Sequence, residues 1–234
     1  PRAAQTARYL RDYGPCPVYG NTRATYYPSG EDAFPDMLAA LESARRYIFI
    51  ETFILGQGSM WEDIHEILRR KAAAGLEVRV IYDDAGSLTV LPGRYWKQLE
   101  AEGIHAFAFN PFVPWLNLVM NNRDHRKIVI IDGKIAYTGG MNVADYYIKG
   151  TEVVGTWRDM HCRIEGSAVD ELQRIFLRIW NKVSKQDISG EEYFCHTSTF
   201  SHLKPDTTAT AGRKTIGIIN REPHTSPDII RTFY

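Results

Sequence analysis

The sequence predicts an α/β fold, a mixed β-sheet sandwiched between helices, and three observations carry that expectation. Helical and strand-like hydrophobic periods alternate along the chain. Two short apolar runs joined by Asp132-Gly133 read as one hairpin, so the sheet cannot be wholly parallel. The inner runs are apolar on both faces, as strands covered on two sides require. A chain of 234 residues can bury a full core, as one large domain or two small ones.

The elements follow in order. Gly30 to Ala44 reads as an amphipathic helix with Phe34, Leu38 and Leu41 on one stripe, and Tyr47 to Phe53 as the next strand. Trp61 to Ala74 repeats Trp61, Ile64 and Leu68 at helical spacing and stops at Gly75. Glu77 to Tyr82 is a strand, Arg94 to Glu102 a short helix ended by Gly103, and Ile104 to Phe109 another strand. The hairpin strands come next, then a strand from Arg158 to Glu165. Ser167 with Asp170 three residues on reads as a helix start, with Val169, Leu172, Phe176, Ile179 and Val183 as the buried face. Residues 184–214 are polar, rich in Ser and Thr and without period, and read as a linker or mobile loop. At 215–234 TIGIIN looks like a fresh strand and Ser226-Pro227-Asp228 like a new helix start. That order echoes residues 24–41, so a second repeat beginning at Thr215 is expected; a C-terminal helix docking on the first domain is the alternative.

Composition narrows the function. The 28 basic and 28 acidic residues balance, which argues against a general nucleic-acid binder. Cys16, Cys162 and Cys195 are few and scattered, so neither a disulfide framework nor a zinc site is expected. No stretch approaches bilayer-spanning length and no signal peptide opens the chain, so a soluble or peripheral protein is expected.

The run NRDHRKIVIIDGKIAYTGGMN, residues 122–142, concentrates the chemistry. On extended backbone His125 and Lys127 project to the same side, placing an imidazole beside a fixed positive charge. Val129 and Ile131 continue that face, while Ile128 and Ile130 fill the other. Gly139 and Gly140 let backbone approach a ligand closely, and Asn142 adds an amide that binds oxygens. Such a group suits displacement at phosphorus. Imidazole can attack phosphorus or protonate a leaving alkoxide near neutral pH, while Lys127 and Asn142 hold the charged oxygens. Asp132 sits where Asp favours a turn for backbone reasons, and is expected to be structural rather than a proton carrier. Glu51, inside the apolar strand IFIETFIL, must be paired or functional, and a place near Lys127 in the binding pocket is expected.

His125-x-Lys127, Asp132 and Gly139-Gly140-x-Asn142 resemble the HKD motif of the phospholipase D superfamily. The flanks FNPFVPWLNL, NNRDHRK, TGGMNVADYY and WRDMHCRIEG, with the opening stretch from residue 13, are similar to bacterial cardiolipin synthase. The resemblance covers residues 9–182 and implies a phospholipase D-like α/β/α sandwich, with residues 1–183 as a catalytic half carrying one HKD motif. It implies transfer of a phosphatidyl group between two phosphatidylglycerol molecules through a phosphohistidine, with no metal or cofactor, at the bacterial cytoplasmic membrane. It also implies a second histidine from another HKD half, in a longer chain or a homodimer partner. His196, His202 and His224 lack the His-x-Lys context and read as loop or surface histidines. Asp159, in WRD, is expected to orient His125 by accepting its second ring N–H. His161, two residues on, reads as a packed core histidine. In FNPFVPWLNLVM the prolines exclude regular structure, and Phe112 and Trp115 suggest a lipid-facing lid or rim. Core packing beneath a long loop is the other reading of that segment.

Overall fold

The six residues Tyr47–Thr52 are buried at every position, which requires neighbours on both edges and layers on both faces. They form the inner strand of a seven-stranded sheet in a computed structural model that describes residues 5, 8–9, 12, 18–19, 21–111, 122–152, 155–188, 191–194 and 216–217. In chain order the elements are β1 (Val18–Tyr19), β2 (Thr22–Tyr27), α1 (Gly30–Glu42), β3 (Tyr47–Thr52), α2 (Ser59–Ala73) and β4 (Glu77–Asp83). There follow α3 (Asp84–Ser87), α4 (Trp96–Ala101), β5 (His105–Phe109), β6 (Ile128–Ile131), β7 (Ile135–Gly139) and α5 (Tyr146–Lys149). The last are β8 (His161–Gly166), α6 (Val169–Ser184), a 3₁₀ turn at Glu191–Tyr193 and β9 (Ile216–Gly217).

The sheet order is β2-β8-β7-β6-β3-β4-β5. β3, β4 and β5 run parallel, and every other pairing is antiparallel. This is the mixed sheet covered by helices that the periods predict. Alternation along the strands sorts the core into two layers. Ile48, Ile50, Val129 and Ile131 pack with α1 and α2. Tyr47, Phe49, Ile128 and Ile130 pack with α6, where Phe49 stacks on Phe176 at 4.8 Å between centroids. Truncating a side chain such as Phe49 removes about 3–5 kcal/mol.

The hairpin turn forms as expected. Asp132 (φ 53°) and Gly133 (φ 66°) both take the left-handed backbone that a tight β-turn needs. Asp132 then reaches across to the start of β3. Its Oδ2 accepts the N–H of Arg45 (2.9 Å), and its Oδ1 accepts those of Arg46 (2.8 Å) and Tyr47 (3.0 Å).

Three expectations need adjustment. The strand expected from Arg158 starts at His161, so Asp159 lies in the loop before β8. Ser167 does not cap α6: its N–H is held by the Asn21 carbonyl at 3.0 Å, an extension of the β2–β8 pairing, and its hydroxyl makes no hydrogen bond. Tyr193, in the stretch read as a linker, is buried against Tyr47 and Phe49, and its hydroxyl donates to Glu77 at 2.9 Å. Ile216–Gly217 pairs with Val18–Tyr19. The helix start at Ser226 and most of residues 195–234 lie outside the described residues, as do Phe112 and Trp115.

Candidate active site

The strand directions bring the ends of β3, β4, β5 and β7 and the beginnings of β6 and β8 to one edge of the sheet. That edge is the carboxyl end of the parallel strands, where α/β sheets present their ligand sites. The lead-in Asn122–Lys127 crosses it in extended, irregular backbone.

Asp83, the last residue of β4 and wholly buried, fixes this lead-in. Its Oδ2 accepts the Asp124 N–H at 3.0 Å, and its Oδ1 accepts from Arg123 Nη1 (3.2 Å) and from Gly86 N (3.0 Å). Arg123 Nη1 also donates to the Asn110 carbonyl at the end of β5, at 2.8 Å. With its backbone tied down, the segment presents His125 outward and Lys127 inward.

His125 is exposed, and its ring lies against Phe53 at 4.8 Å between centroids. Partial burial and then the Lys127 charge lower its pKa from 6.5, while Asp124 and Asp83 oppose the shift. A neutral imidazole with a free nitrogen therefore prevails near neutral pH, the form that attacks phosphorus.

Lys127 is buried. Its Nζ donates to the His125 carbonyl at 2.6 Å and lies 5.3 Å from the Phe53 ring centroid. Burial lowers its pKa to about 8, against the pull of Asp124, Asp159 and Asp83. The ammonium remains charged at neutral pH but is thinly solvated, which strengthens its attraction for a phosphate oxygen. His125 and Lys127 thus meet at one site, although only His125 is exposed.

Three expectations change. Asn142 is not open to a ligand as expected: its Oδ1 accepts the Ile54 N–H at 3.0 Å and its Nδ2 meets the Tyr147 hydroxyl at 2.5 Å. It pins the β3 exit loop to the segment after β7. Asp159 makes no hydrogen bond to the His125 ring; its Oδ1 accepts the adjacent Met160 N–H at 2.7 Å, and its influence on the site is the field it exerts on Lys127. The close neighbours of Gly139 and Gly140 are the protein's own chain. A Cβ on Gly139 would lie 2.4 Å from the Met160 carbonyl, and one on Gly140 only 2.0 Å from Asp159 Oδ1. Glu51 is buried and paired with Arg126, its Oε1 3.2 Å from Nη1, and it lines the same cavity as Lys127, as expected. Asp132 lies at the far end of the hairpin from Lys127, occupied by three backbone N–H groups.

Glu51, Lys127, Asn142 and His161 line a cavity of about 10 Å³ behind the lead-in. His161 is buried, stacked on Tyr137 (15° between planes), and its Nδ1 makes no hydrogen bond. Among the described residues no three His, Cys, Asp or Glu side chains converge as metal ligands would.

The sequence reading missed Phe53, Asp83, Arg123, Asp124 and Arg126. A signal existed for Asp83, an acid at the carboxyl end of a parallel strand. For Asp124 the signal was its place between Arg123 and Arg126 in NNRDHRK.

Comparison with known proteins supplies the lineage. The sequence profile described as cardiolipin synthase, PLD-like domain, matches residues 37–180. An uncharacterized protein of Streptococcus mutans is 42% identical over 184 residues, 79% of this chain and 40% of that protein. Cardiolipin synthase 2 of Staphylococcus epidermidis is 42% identical over 164 residues, 70% of this chain and 33% of that enzyme. The chain therefore spans two fifths or less of these curated relatives. Among solved structures, Nuc from Salmonella typhimurium, a phospholipase D family member, shares the fold at a TM-score of 0.50 and 17% identity. The match covers 74% of this chain and 100% of that one. With a profile spanning most of the chain and relatives at this identity, the chain belongs to the cardiolipin synthase, PLD-like domain family.

Proposed function

We propose that this chain is one catalytic half of a phosphatidyltransferase that makes cardiolipin from two phosphatidylglycerol molecules. The observation that supports this most is the pairing of an outward, neutral His125 with the buried, charged Lys127 at one edge of the sheet. In this reading His125 attacks the phosphorus of the first lipid and the bond to its glycerol breaks. A second histidine, from another HKD half, gives its proton to the departing glycerol alkoxide. That histidine then takes a proton from the hydroxyl of the second lipid. The resulting oxygen nucleophile displaces His125 from the phosphohistidine, forming cardiolipin. Lys127 holds the non-bridging oxygens as charge builds on them. Asp132 and Asn142 act by holding the segments on either side, and Asp159 by its charge near Lys127. No cofactor is needed for these steps.

The second half comes from a longer chain or from a homodimer partner. Labelled phosphatidylglycerol, supplied to this chain and to a protein extended past Tyr234, tests the reading. Cardiolipin from the extended protein is expected. Phosphatidic acid instead would make the enzyme a phospholipase D-type hydrolase, and no product from either would leave a lipid-binding module.

Membrane association belongs to the same proposal. No helix among the described residues is long and apolar enough to cross a bilayer, and the reading places the domain peripherally on the bacterial cytoplasmic membrane. Trp115 and Phe112 would then touch lipid. Replacing both with Ser is expected to weaken liposome binding, and unchanged binding would remove the lid from the proposal. The balanced charge favours a lipid over a nucleic-acid substrate.

A further inference from the structure

Beneath the exposed face of the site lie two buried carboxyl groups and one guanidinium. Glu51 is 1% exposed and Asp124 4%. Arg126 Nη1 lies 3.2 Å from Glu51 Oε1 and 3.7 Å from Asp124 Oδ1. Both carboxyls therefore border the same guanidinium nitrogen. Yet Glu51 Oε2 and Asp124 Oδ2 are both sealed from solvent with no donor. Two buried carboxylates beside one guanidinium nitrogen, each with an oxygen that no donor meets, are short of one proton.

We propose that Glu51 and Asp124 share one proton, and that with Arg126 they form a charge-neutral trio which spares the Lys127 ammonium a further buried carboxylate charge. The pair carries one negative charge and Arg126 one positive. Glu51 is therefore a neutral donor to Asp124. Burial first, and then the Asp124 charge, push Glu51 well above the usual carboxylate range, against the pull of Arg126.

The surroundings agree from each element packed on the trio. From β4, the Asp83 carboxylate is taken up by Arg123, Gly86 and the Asp124 N–H. On the lead-in itself, Arg126 N–H donates to Asp124 Oδ1 at 3.3 Å, and His125 and Lys127 lie on either side of Arg126. Lys127 and, from β8, His161 line the same small cavity as Glu51. A second full negative charge on Glu51 would draw on the Lys127 ammonium. Protonated, Glu51 leaves that charge for a ligand. The consequence for phosphate rests on the function proposed above; the shared proton does not.

Infrared spectroscopy of the folded chain near pH 7 tests the proton directly. The unmutated protein is expected to show the carbonyl stretch of a buried carboxylic acid, persisting well above the ordinary glutamate pKa of about 4.3. The band should vanish in Glu51→Gln, whose amide can still donate to Asp124. It should shift in frequency or vanish in Asp124→Asn, which removes the carboxylate acceptor. By NMR, the His125 midpoint in Glu51→Gln is expected within about 0.3 pH unit of the unmutated chain, since no charge is removed. Absence of the band in the unmutated protein overturns the proposal even if neither variant folds. A band unmoved by either substitution, or a His125 midpoint lowered by about one unit or more, overturns it too. None of these readings depends on activity, so they stand apart from the lipid assay.

Discussion

The Lys127 ammonium lies 2.6 Å from the carbonyl oxygen of His125, so the backbone of the proposed nucleophile also positions the cation. Their ionisations set the working pH range. The His125 pKa is lowered, so its neutral form persists to more acid pH than for a free imidazole. The Lys127 pKa is about 8, so its positive charge is complete well below pH 8 and is lost as pH rises through that value. Phosphatidyl transfer by the extended protein is therefore expected to hold a plateau across neutrality and to fall above about pH 8. Lys127→Met should lower kcat/KM by about 10²–10³-fold. Lys127→Arg should carry the alkaline limb to higher pH, and an alkaline limb that stays in place would assign it to another group.

Asp132 tests the claim that the third residue of the motif serves the fold. Its carboxylate receives the N–H groups of Arg45, Arg46 and Tyr47 at the start of β3. Asp132→Ala leaves those donors without their partner beneath the hairpin. Chemical denaturation should show a loss of about 2–4 kcal/mol. The His125 midpoint, read by NMR in the folded variant, should not move. A shift there would mean that Asp132 acts on the chemistry directly.

Gly140 is set so closely against the Asp159 carboxylate that a methyl group fits only if that side chain turns aside. Gly140→Ala should turn the Asp159 carboxylate aside, at a cost of no more than about 1 kcal/mol in stability. Because Asp159 helps hold the proton on Lys127, its displacement should lower the Lys127 midpoint below about 8. Thermal unfolding and a lysine-selective NMR titration read the two effects separately. An unmoved midpoint would assign Asp159 a purely steric part.

Much of this was legible in the sequence because it rests on local pattern. The helical stripe Phe34 to Leu41 and the two-sided apolar strands foretold the layered sheet, and Asp132-Gly133 foretold the turn. The His125-x-Lys127 spacing located the site. Long-range partner choice was hidden. Whether Asn142 binds a ligand or the Ile54 N–H depends on how the β3 exit loop folds, 88 positions away in sequence. Likewise Asp83 meets the Asp124 N–H only because β4 and the lead-in end at the same sheet edge. Glu51 was recognisably out of place in an apolar strand, but its partner Arg126 occupied the unremarked middle of His-x-Lys.

His161 offers a test of packing through pH. Burial lowers its pKa from 6.5 to about 4, partly offset by the Met160 backbone. The unfolded chain therefore takes up a proton on His161 near pH 6.5, whereas the folded chain resists until about pH 4. Stability contributed by the neutral ring is complete above 6.5 and is lost as pH falls from there to about 4, by an amount on the order of 3 kcal/mol. His161→Phe keeps an aromatic ring against Tyr137 and cannot take up the proton. Denaturation curves measured at intervals between pH 7 and pH 4 should show the unmutated chain losing more stability than the variant. Glu51, whose pKa is raised, contributes with the opposite sign in both proteins and cancels in the difference. Parallel curves would mean that His161 protonates in the folded state as readily as in the unfolded chain, and that the cavity beside Lys127 is open to water.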